Sequence, residues 1–482
     1  RPTGGPPGPG EMGAGVSIPF RIAEAEKWSE GVLASGSLET QLSGVSIDTR
    51  TIGPGELFVA IRGERHDAHG FLDRATQSGA AALLVERSWL QENVAPKGPA
   101  VIAAEDTTLA LGALAHGHRS DFGGPLVAVT GSNGKTSTKE LTHSILSVSH
   151  PCLKNEGNLN NEFGLPLTLL RRESEHRAVV LELGMNHRGE IARLTEIARP
   201  DVGVITNVGS AHIEFLGSQE EIALEKGDLV AGLGESGTAV LNADDARVLN
   251  QRNRARGQVL TFGHSSGADV RADQIRFDTE GAFDFLLGAP QGSVSVRVPG
   301  WAETTVDNSL AAAAAALSAG ASLEEVKQGL TFFEAVPGRM NCTRLTDGAR
   351  VIDDSYNANP QSMRVALETL ARVKGRGRAI AVLGDMGELG AESARAHVGV
   401  GSLAGELGTD LLFALGDHAE DLGRAAVAAG MAEPSVHVGG QHEEIAQQIA
   451  SRVKSDDWIL VKGSRAMQME RVVQSLVSGG GN

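Results

Sequence analysis

Cysteine is scarce in this chain: Cys152 and Cys342 are its only two, with no CxxC pair and no Cys/His cluster. That excludes a disulfide framework and a cysteine-based structural zinc site, and it favours a reducing compartment, so a cytoplasmic location is expected. Long apolar runs are missing too. The richest, around Leu310 to Leu317, falls well short of the ~20 residues a membrane-spanning helix needs, so no membrane insertion is expected. Neither sign of charge is massed in a long run, and the formal net charge is −17. This argues against a surface built for nucleic acid or anionic lipid but leaves small anionic substrates open. The opening residues 1–15, RPTGGPPGPGEMGAG, lack the apolar stretch of a signal peptide and are expected to be a disordered lead-in.

Glycine is what the chain has in quantity: 61 residues, against an average usage of roughly 7 %. Disorder is one source of such an excess, but 41 % of the residues are hydrophobic and recur in short apolar runs, enough for packed cores. Turns and phosphate-cradling loops are the other source. A length of 482 residues predicts about three domains. Residues 16–121 alternate short strands (VSIDTR, ELFVAIRG, AALLVER) with a helix from Phe71 to Ser78, a small α/β unit. After the break DFGGP, residues 122–336 carry the buried strands PLVAVTG, AVVLELG, VGVITNVG and TAVLNADD between helix-length stretches. That pattern predicts a parallel sheet covered on both faces. A β-rich excursion from about Ala268 to Val298 and an alanine-rich helix from Asn308 to Ser318 follow. Residues 337–482 repeat the strand–helix alternation through ARVIDDSYNANP, RAIAVLGDM, DLLFALG, PSVHVGG and DWILVKGS, a Rossmann-like doubly wound unit.

The sharpest motif is VAVTGSNGKTSTKELTHSIL, a strand, a glycine loop and a helix. Gly131 and Gly134 allow the backbone N–H groups of Ser132, Asn133 and their neighbours to turn toward phosphate oxygens, and the helix N-terminus adds favourable partial charge. Lys135 can reach the β- and γ-phosphates, and the Thr136 hydroxyl can join a Mg²⁺ shell. Only two residues separate the glycines, against four in the standard P-loop, so this is a shortened variant. A P-loop needs a carboxylate partner at a neighbouring strand end, and Glu182 of AVVLELG supplies one; the alternative is an exposed strand-end glutamate. His212, after a third strand in NVGSAHIEFLG, is either a ligand there or a hydrogen-bonded turn histidine. Three such strand ends on one sheet edge are expected to converge at the ligand crevice of an open parallel sheet.

TGSNGKTSTKE, ELGMNHRGEI, TNVGSAHIEFLGS and LNADD stand in the order and spacing of the ATP-dependent Mur ligases of peptidoglycan synthesis, and the chain resembles that family from about Ile18 to Val477. SIDTRTIGPGELFVAIRGERHDAH, GNLNNEFGLPLTLL, DDSYNANPQSM, VLGDMGELG and VKGSRAM extend the likeness. The resemblance implies a UDP-substrate domain (16–121), a central ATP-binding P-loop domain (122–336) and a C-terminal closing domain (337–482). It implies an ATP-dependent ligase that passes through an acyl phosphate and forms an amide, giving ADP and phosphate. The expected partners are UDP-N-acetylmuramoyl-tripeptide and D-alanyl-D-alanine, the cofactors ATP and Mg²⁺, and the expected state a monomer.

Residue by residue, it implies a catalytic set of Lys135, Glu182, His212 and Lys226. ATP contacts would come from Gly131, Ser132, Asn133, Gly134, Lys135, Thr136, Ser137, Asn308, Arg339, Asp354 and Tyr356. Asp48, Thr49, Arg50, Asn158, Asn160 and Asn161 would contact the UDP-substrate. Mg²⁺ would be held by Thr136, Glu182, His212 and Lys226, the last if carbamylated; the plain reading of Lys226 is a helix-surface lysine paired with Glu225 or Asp228. Arg339 otherwise reads as a linker ion-pair residue, DTR as a strand-ending turn, and the three asparagines as turn formers. In WAETTVDNSLAA, Thr304 replaces the histidine the family commonly places four residues before the retained Asn308. The alternatives are a related ligase that adds a single amino acid, and a non-catalytic nucleotide-binding switch. The series Gly384, Gly387, Gly390 has the wrong spacing for a dinucleotide fingerprint.

Overall fold

The computed structural model describes residues 18–63 and 66–479, so the expected lead-in lies outside the described residues. The fold is mixed α/β with parallel sheets, divided into two compact units. One takes the chain up to residue 128 with 150–185 and 190–200; the other takes 129–149, 186–189 and 201 onward.

In the first unit a five-stranded sheet runs in the order Val32–Ser35, Ala100–Ala104, Ala82–Glu86, Leu57–Val59, Val45–Ser46. The last four strands are parallel and the first joins antiparallel. Its apolar strands are short because each ends at a turn: VSIDTR is a strand only at Val45–Ser46, after which Asp48 folds the chain back by accepting the N–H groups of Thr51 and Ile52 on its carbonyl. The expected helix is Leu72–Gln77, preceded by a 3₁₀ turn at Ala68–Phe71. The same unit holds the parallel pair Cys152–Lys154 and Ala178–Glu182. Here Val179 N–H donates to the Pro125 carbonyl at the start of the strand Leu126–Thr130.

In the second unit, Val202–Ile205, Thr238–Asn242, Gln258–Gly263 and Val270–Phe277 pair in parallel. The β-rich excursion then adds Ala282–Ala289 and Gly292–Pro299 antiparallel. Thr206 N–H donates to the Thr130 carbonyl, which places the end of the Leu126–Thr130 strand beside this sheet. The alanine-rich helix is Thr304–Ser318 and packs on the helix Lys135–Leu146. It starts four residues before the expected Asn308, on the polar turn TTVD.

The C-terminal sheet has six strands, in the order Asn341–Arg344, Arg350–Asp354, Trp458–Lys462, Ala379–Leu383, Leu411–Ala414, Val436–Val438. Alternate residues of its central strands feed two separate cores. Ile352, Ala381, Leu412 and Leu460 lie in one, and Val351, Ile380, Phe413 and Ile459 in the other. A sheet buried on both faces needs continuous apolar strands, which is why they stand out in the sequence. The edge strand Asn341–Arg344, not marked in the sequence, joins antiparallel to Arg350–Asp354. Among the described residues, no helix is long and apolar enough to cross a membrane.

Candidate active site

The strand Leu126–Thr130 is buried throughout, and Gly131 leaves it with φ +152°. A Cβ there would collide with the Thr206 hydroxyl. Gly134 precedes the helix Lys135–Leu146 at φ +80°, a left-handed conformation that disfavours side chains, and its Cβ would strike Asn308 Oδ1. Space and conformation both demand glycine, so the loop offers backbone at the positive end of a helix, where phosphate is favoured. Lys135 folds back so that its ammonium donates to the Gly131 carbonyl at 2.8 Å and the Ser132 carbonyl at 3.4 Å. Thr136 and Ser137 occupy the first helical turn.

Two further layers hold the loop. Ser132 N–H donates to the Asn207 carbonyl and Asn133 N–H to Asn207 Oδ1, both at 2.9 Å. Thr206 Oγ1 and Asn207 Nδ2 donate to the Asn133 carbonyl at 2.6 and 3.0 Å, and Gly209 N–H donates to Ser132 Oγ at 2.8 Å. Behind these, Asn242 Nδ2 donates to the Thr206 carbonyl and Val208 N–H to Asp245 Oδ2, each at 2.8 Å. Thus LNADD fixes TNVGS, and TNVGS fixes TGSNGKT. Asn207 and Thr206 were not singled out in the sequence. Their signal is a polar pair directly after an apolar strand, but nothing local names its partner.

C-terminal segments reach the same loop. Arg339 Nη2 donates to Thr136 Oγ1 at 3.2 Å across 203 residues of chain, and its guanidinium lies 4.1 Å from the centre of the Tyr356 ring. Asn359 Nδ2 donates to Asn133 Oδ1 at 2.7 Å, and Asn133 Nδ2 to Gln361 Oε1 at 2.9 Å. Asn308 receives a long hydrogen bond from Thr138 Oγ1, 3.4 Å, so its amide sits against the loop helix. Asp354 is an anchor: the buried Lys462 ammonium donates to its Oδ2 at 2.5 Å, and Met340 N–H donates to Oδ1 at 3.2 Å, next to Arg339. Burial pulls the Lys462 amine below the ordinary lysine range against the pull of Asp354.

His212 has φ +65° and places Nδ1 at 2.6 Å from Glu388 Oε2. The close approach of the His212 imidazole holds the Glu388 carboxyl below its usual range against burial, and Lys135 adds to that pull. Glu388 was not selected from the sequence, although its motif VLGDMGELG was. Lys226 lies in the helix Gln219–Ala231 and is only 1 % exposed, which overturns the surface-lysine alternative. Nearby, Glu225 accepts from Gly189 N–H at 2.9 Å, and Asp228 is paired with Arg254.

In the first unit Glu182 is buried at its strand end, not exposed, and such a carboxylate needs donors. Asn160 Nδ2 supplies one to Oε1 at 2.8 Å. The buried Asn155, missed in the sequence, clamps the Glu182 backbone, accepting its N–H at 2.8 Å and donating to its carbonyl at 3.0 Å. Asn160 therefore serves Glu182, Asn161 Oδ1 accepts the N–H groups of Phe163 and Gly164 at the start of the helix Gly164–Leu170, and Asn158 is exposed. Asp48 and Arg50 form a fork, with Nε 2.9 Å and Nη2 2.6 Å from the two carboxylate oxygens. Thr49 lies half-buried between them. The Arg50 hydrogen bonds hold the Asp48 carboxyl down at about 2.

Three family models match the chain: Mur ligase family, catalytic domain, over residues 41–119; Mur ligase middle domain over 129–316; and Mur ligase, glutamate ligase domain, over 338–465. The UDP-N-acetylmuramoyl-tripeptide–D-alanyl-D-alanine ligase of Escherichia coli (strain K12) is 41 % identical over 442 residues, 91 % of this chain and 94 % of that protein. A crystal structure of MurF from Acinetobacter baumannii superposes with a TM-score of 0.86 at 33 % identity, covering 96 % of this chain and 99 % of that one. MurF ligase from Thermotoga maritima in complex with ADP gives 0.80 at 31 %, covering 91 % and 97 %.

Proposed function

This chain belongs to the Mur ligase family, and from that premise we propose that it is an ATP-dependent ligase joining D-alanyl-D-alanine to UDP-N-acetylmuramoyl-tripeptide. The geometric observation that carries the reading is Arg339 on Thr136. A guanidinium brought from a distant segment onto the hydroxyl of a phosphate loop adds a second cation where a γ-phosphate would lie. Binding alone is served by the loop and Lys135; phosphoryl transfer needs charge neutralised on several oxygens at once.

In the proposed reaction an oxygen of the tripeptide's terminal carboxylate attacks the γ-phosphorus and ADP leaves. The dipeptide amine then attacks the acyl carbon, the C–O bond to phosphate breaks, and inorganic phosphate departs while the amine nitrogen loses its extra protons. Lys135 and Arg339 hold the phosphates, and the residues Thr206, Asn207, Asn242 and Asp245 keep the loop preorganised. Tyr356 supports the Arg339 guanidinium, and Asn308 and Asp354 complete the proposed nucleotide contacts. Mg²⁺, when bound, would neutralise charge on the β- and γ-oxygens. The hard oxygens of Thr136 and Glu182 suit it, and His212 with a carbamylated Lys226 are proposed to hold a second ion. Lys226 is buried in its helix, where a carbamylated side chain would be shielded from solvent. Asp48, Thr49, Arg50 and the Asn158–Asn161 loop are proposed to meet the UDP-substrate. The division at residues 121 and 336, a monomeric state and a cytoplasmic location are part of the same proposal.

The test is phosphate release from ATP with a substrate panel. Release is expected only with both UDP-muramoyl-tripeptide and D-Ala-D-Ala present. Equal release with free D-Ala, diaminopimelate or glutamate would point to a single-amino-acid ligase instead.

A further inference from the structure

Glu388 brings a carboxylate against His212, in a site whose phosphate and carboxylate substrates are themselves anions. Glu388 lies at the tip of the loop after the strand Ala379–Leu383, on the edge of the C-terminal sheet where ligands of parallel sheets bind. The loop is tied down on both sides of its tip. Asp385 accepts the N–H groups of Asp417 and His418 at 2.6 and 3.1 Å, Ser464 N–H donates to the Asp385 carbonyl at 2.8 Å, and Met386 N–H donates to the buried His397 Nε2 at 2.9 Å. Leu389 is buried on the other flank. Between these anchors Glu388 adopts φ +60°, a conformation costly for a residue with a side chain and characteristic of functional positions. The result is a held carboxylate, 45 % exposed, aimed at His212.

Such a group opposes the binding of ATP and of a substrate carboxylate, both anions, so a phosphate site gains nothing from it unless it receives a cation. On the reading of function above, one of the three substrates carries a positive charge at the reacting end. The α-amino group of a dipeptide has a pKa of about 8 and is mostly ammonium at neutral pH. We propose that Glu388 is the recognition residue for the ammonium group of the incoming dipeptide, exchanging its contact with His212 for that ammonium as the substrate enters. The carboxylate sets the amine beside the γ-phosphate end of the loop, and it discriminates for an amine-bearing acceptor against water and neutral nucleophiles.

The experiment compares wild type with Glu388→Gln and Glu388→Asp in two reactions: ligation of D-Ala-D-Ala, and trapping of the acyl phosphate by hydroxylamine. The trap is neutral at pH 7.5 and needs no ammonium site; its nitrogen attacks the acyl carbon and phosphate leaves. Expected for Glu388→Gln is a KM for D-Ala-D-Ala raised tenfold or more, with KM for ATP, the Mg²⁺ requirement and hydroxamate yield within twofold of wild type. Glu388→Asp, which keeps the charge on a shorter arm, is expected to recover part of the loss. An unchanged dipeptide KM, a joint fall of hydroxamate and ligation, a shifted Mg²⁺ requirement, or identical behaviour of Gln and Asp would each overturn the proposal. If wild type itself does not use D-Ala-D-Ala, the functional reading fails instead, and the two failures are distinct.

Discussion

At the scale of single residues, two ion pairs of similar appearance have opposite weights. The Asp48–Arg50 fork is exposed, its side chains 33 % and 77 % accessible, so it adds little to stability. It does hold the Asp48 carboxyl at about 2. A depressed carboxylate favours the fold above its unfolded pKa, and that preference fades as pH falls through about 2. Arg50→Ala is expected to return the Asp48 titration, followed by carboxyl NMR shifts, toward the ordinary value of about 3.9, with the melting temperature at pH 7 scarcely moved. Lys462 and Asp354 are 2 % and 11 % exposed at the side chain. Removing one partner of such a pair leaves a buried charge and costs roughly 3–5 kcal/mol. Lys462→Met should show that loss in urea unfolding, and the double variant with Asp354→Asn should recover part of it. A Lys462→Met variant as stable as wild type would mean that Asp354 finds another donor. Because Asp354 also holds Met340 N–H beside Arg339, the single variant should also weaken ATP binding.

At the scale of elements, the helix Thr107–Ser120 carries a buried histidine that links stability to pH. His118 lies edge-on to the rings of Phe20 and Trp28. Burial, and then the nearby Arg172, push it down to about 4, outweighing a backbone contact with Leu169. The fold thus prefers the neutral ring: this contribution is intact above the unfolded pKa near 6.5 and drains away as pH falls toward 4, by an amount on the order of 3 kcal/mol. His118→Phe should flatten the loss of urea midpoint between pH 7 and 4.5 relative to wild type, and parallel losses in the two proteins would remove His118 from the account. Nothing local marks this position in the sequence, and the same holds for much of the site. The apolar strands PLVAVTG, AVVLELG and DWILVKGS were legible because burial on both faces forces an unbroken run, and the loop after Thr130 because Gly131, Gly134 and Lys135 are each required in place. Short strands with half-exposed residues, such as Val32–Ser35 and Asn341–Arg344, give no such run. Asn155, Asn207 and Glu388 stayed hidden because their significance lies in a partner remote in sequence: Glu182, the phosphate loop and His212. A polar residue becomes informative only once the fold supplies that partner.

At the scale of the whole molecule, ligand binding and stability are one equilibrium. A ligand that binds only the folded chain stabilises it by RT ln(1 + [L]/Kd), about 2.7 kcal/mol at a hundredfold excess over Kd. The phosphate loop, Arg339 and Tyr356 all belong to the second compact unit, of roughly 300 residues, for which unfolding entropy near 2.1 cal/mol/K per residue converts that gain into a rise of about 4 °C. Asp48 and Arg50 belong to the first unit. Calorimetry with a non-hydrolysable ATP analogue, and separately with the UDP-sugar tripeptide, should therefore separate the two stations. Lys135→Ala is expected to abolish the nucleotide shift and keep the UDP-substrate shift, and Arg50→Ala to do the reverse. The −17 net charge sets the control. If anions were taken up by general electrostatics, both shifts would depend steeply on salt and neither substitution would be selective; if each is held by a built station, selectivity survives at 0.15 M salt, where charges more than about 8 Å apart are screened. Loss of both shifts in either variant would mean that the two substrates do not bind at separate places, and the assignment of the Asp48–Arg50 turn to the UDP-substrate would fall.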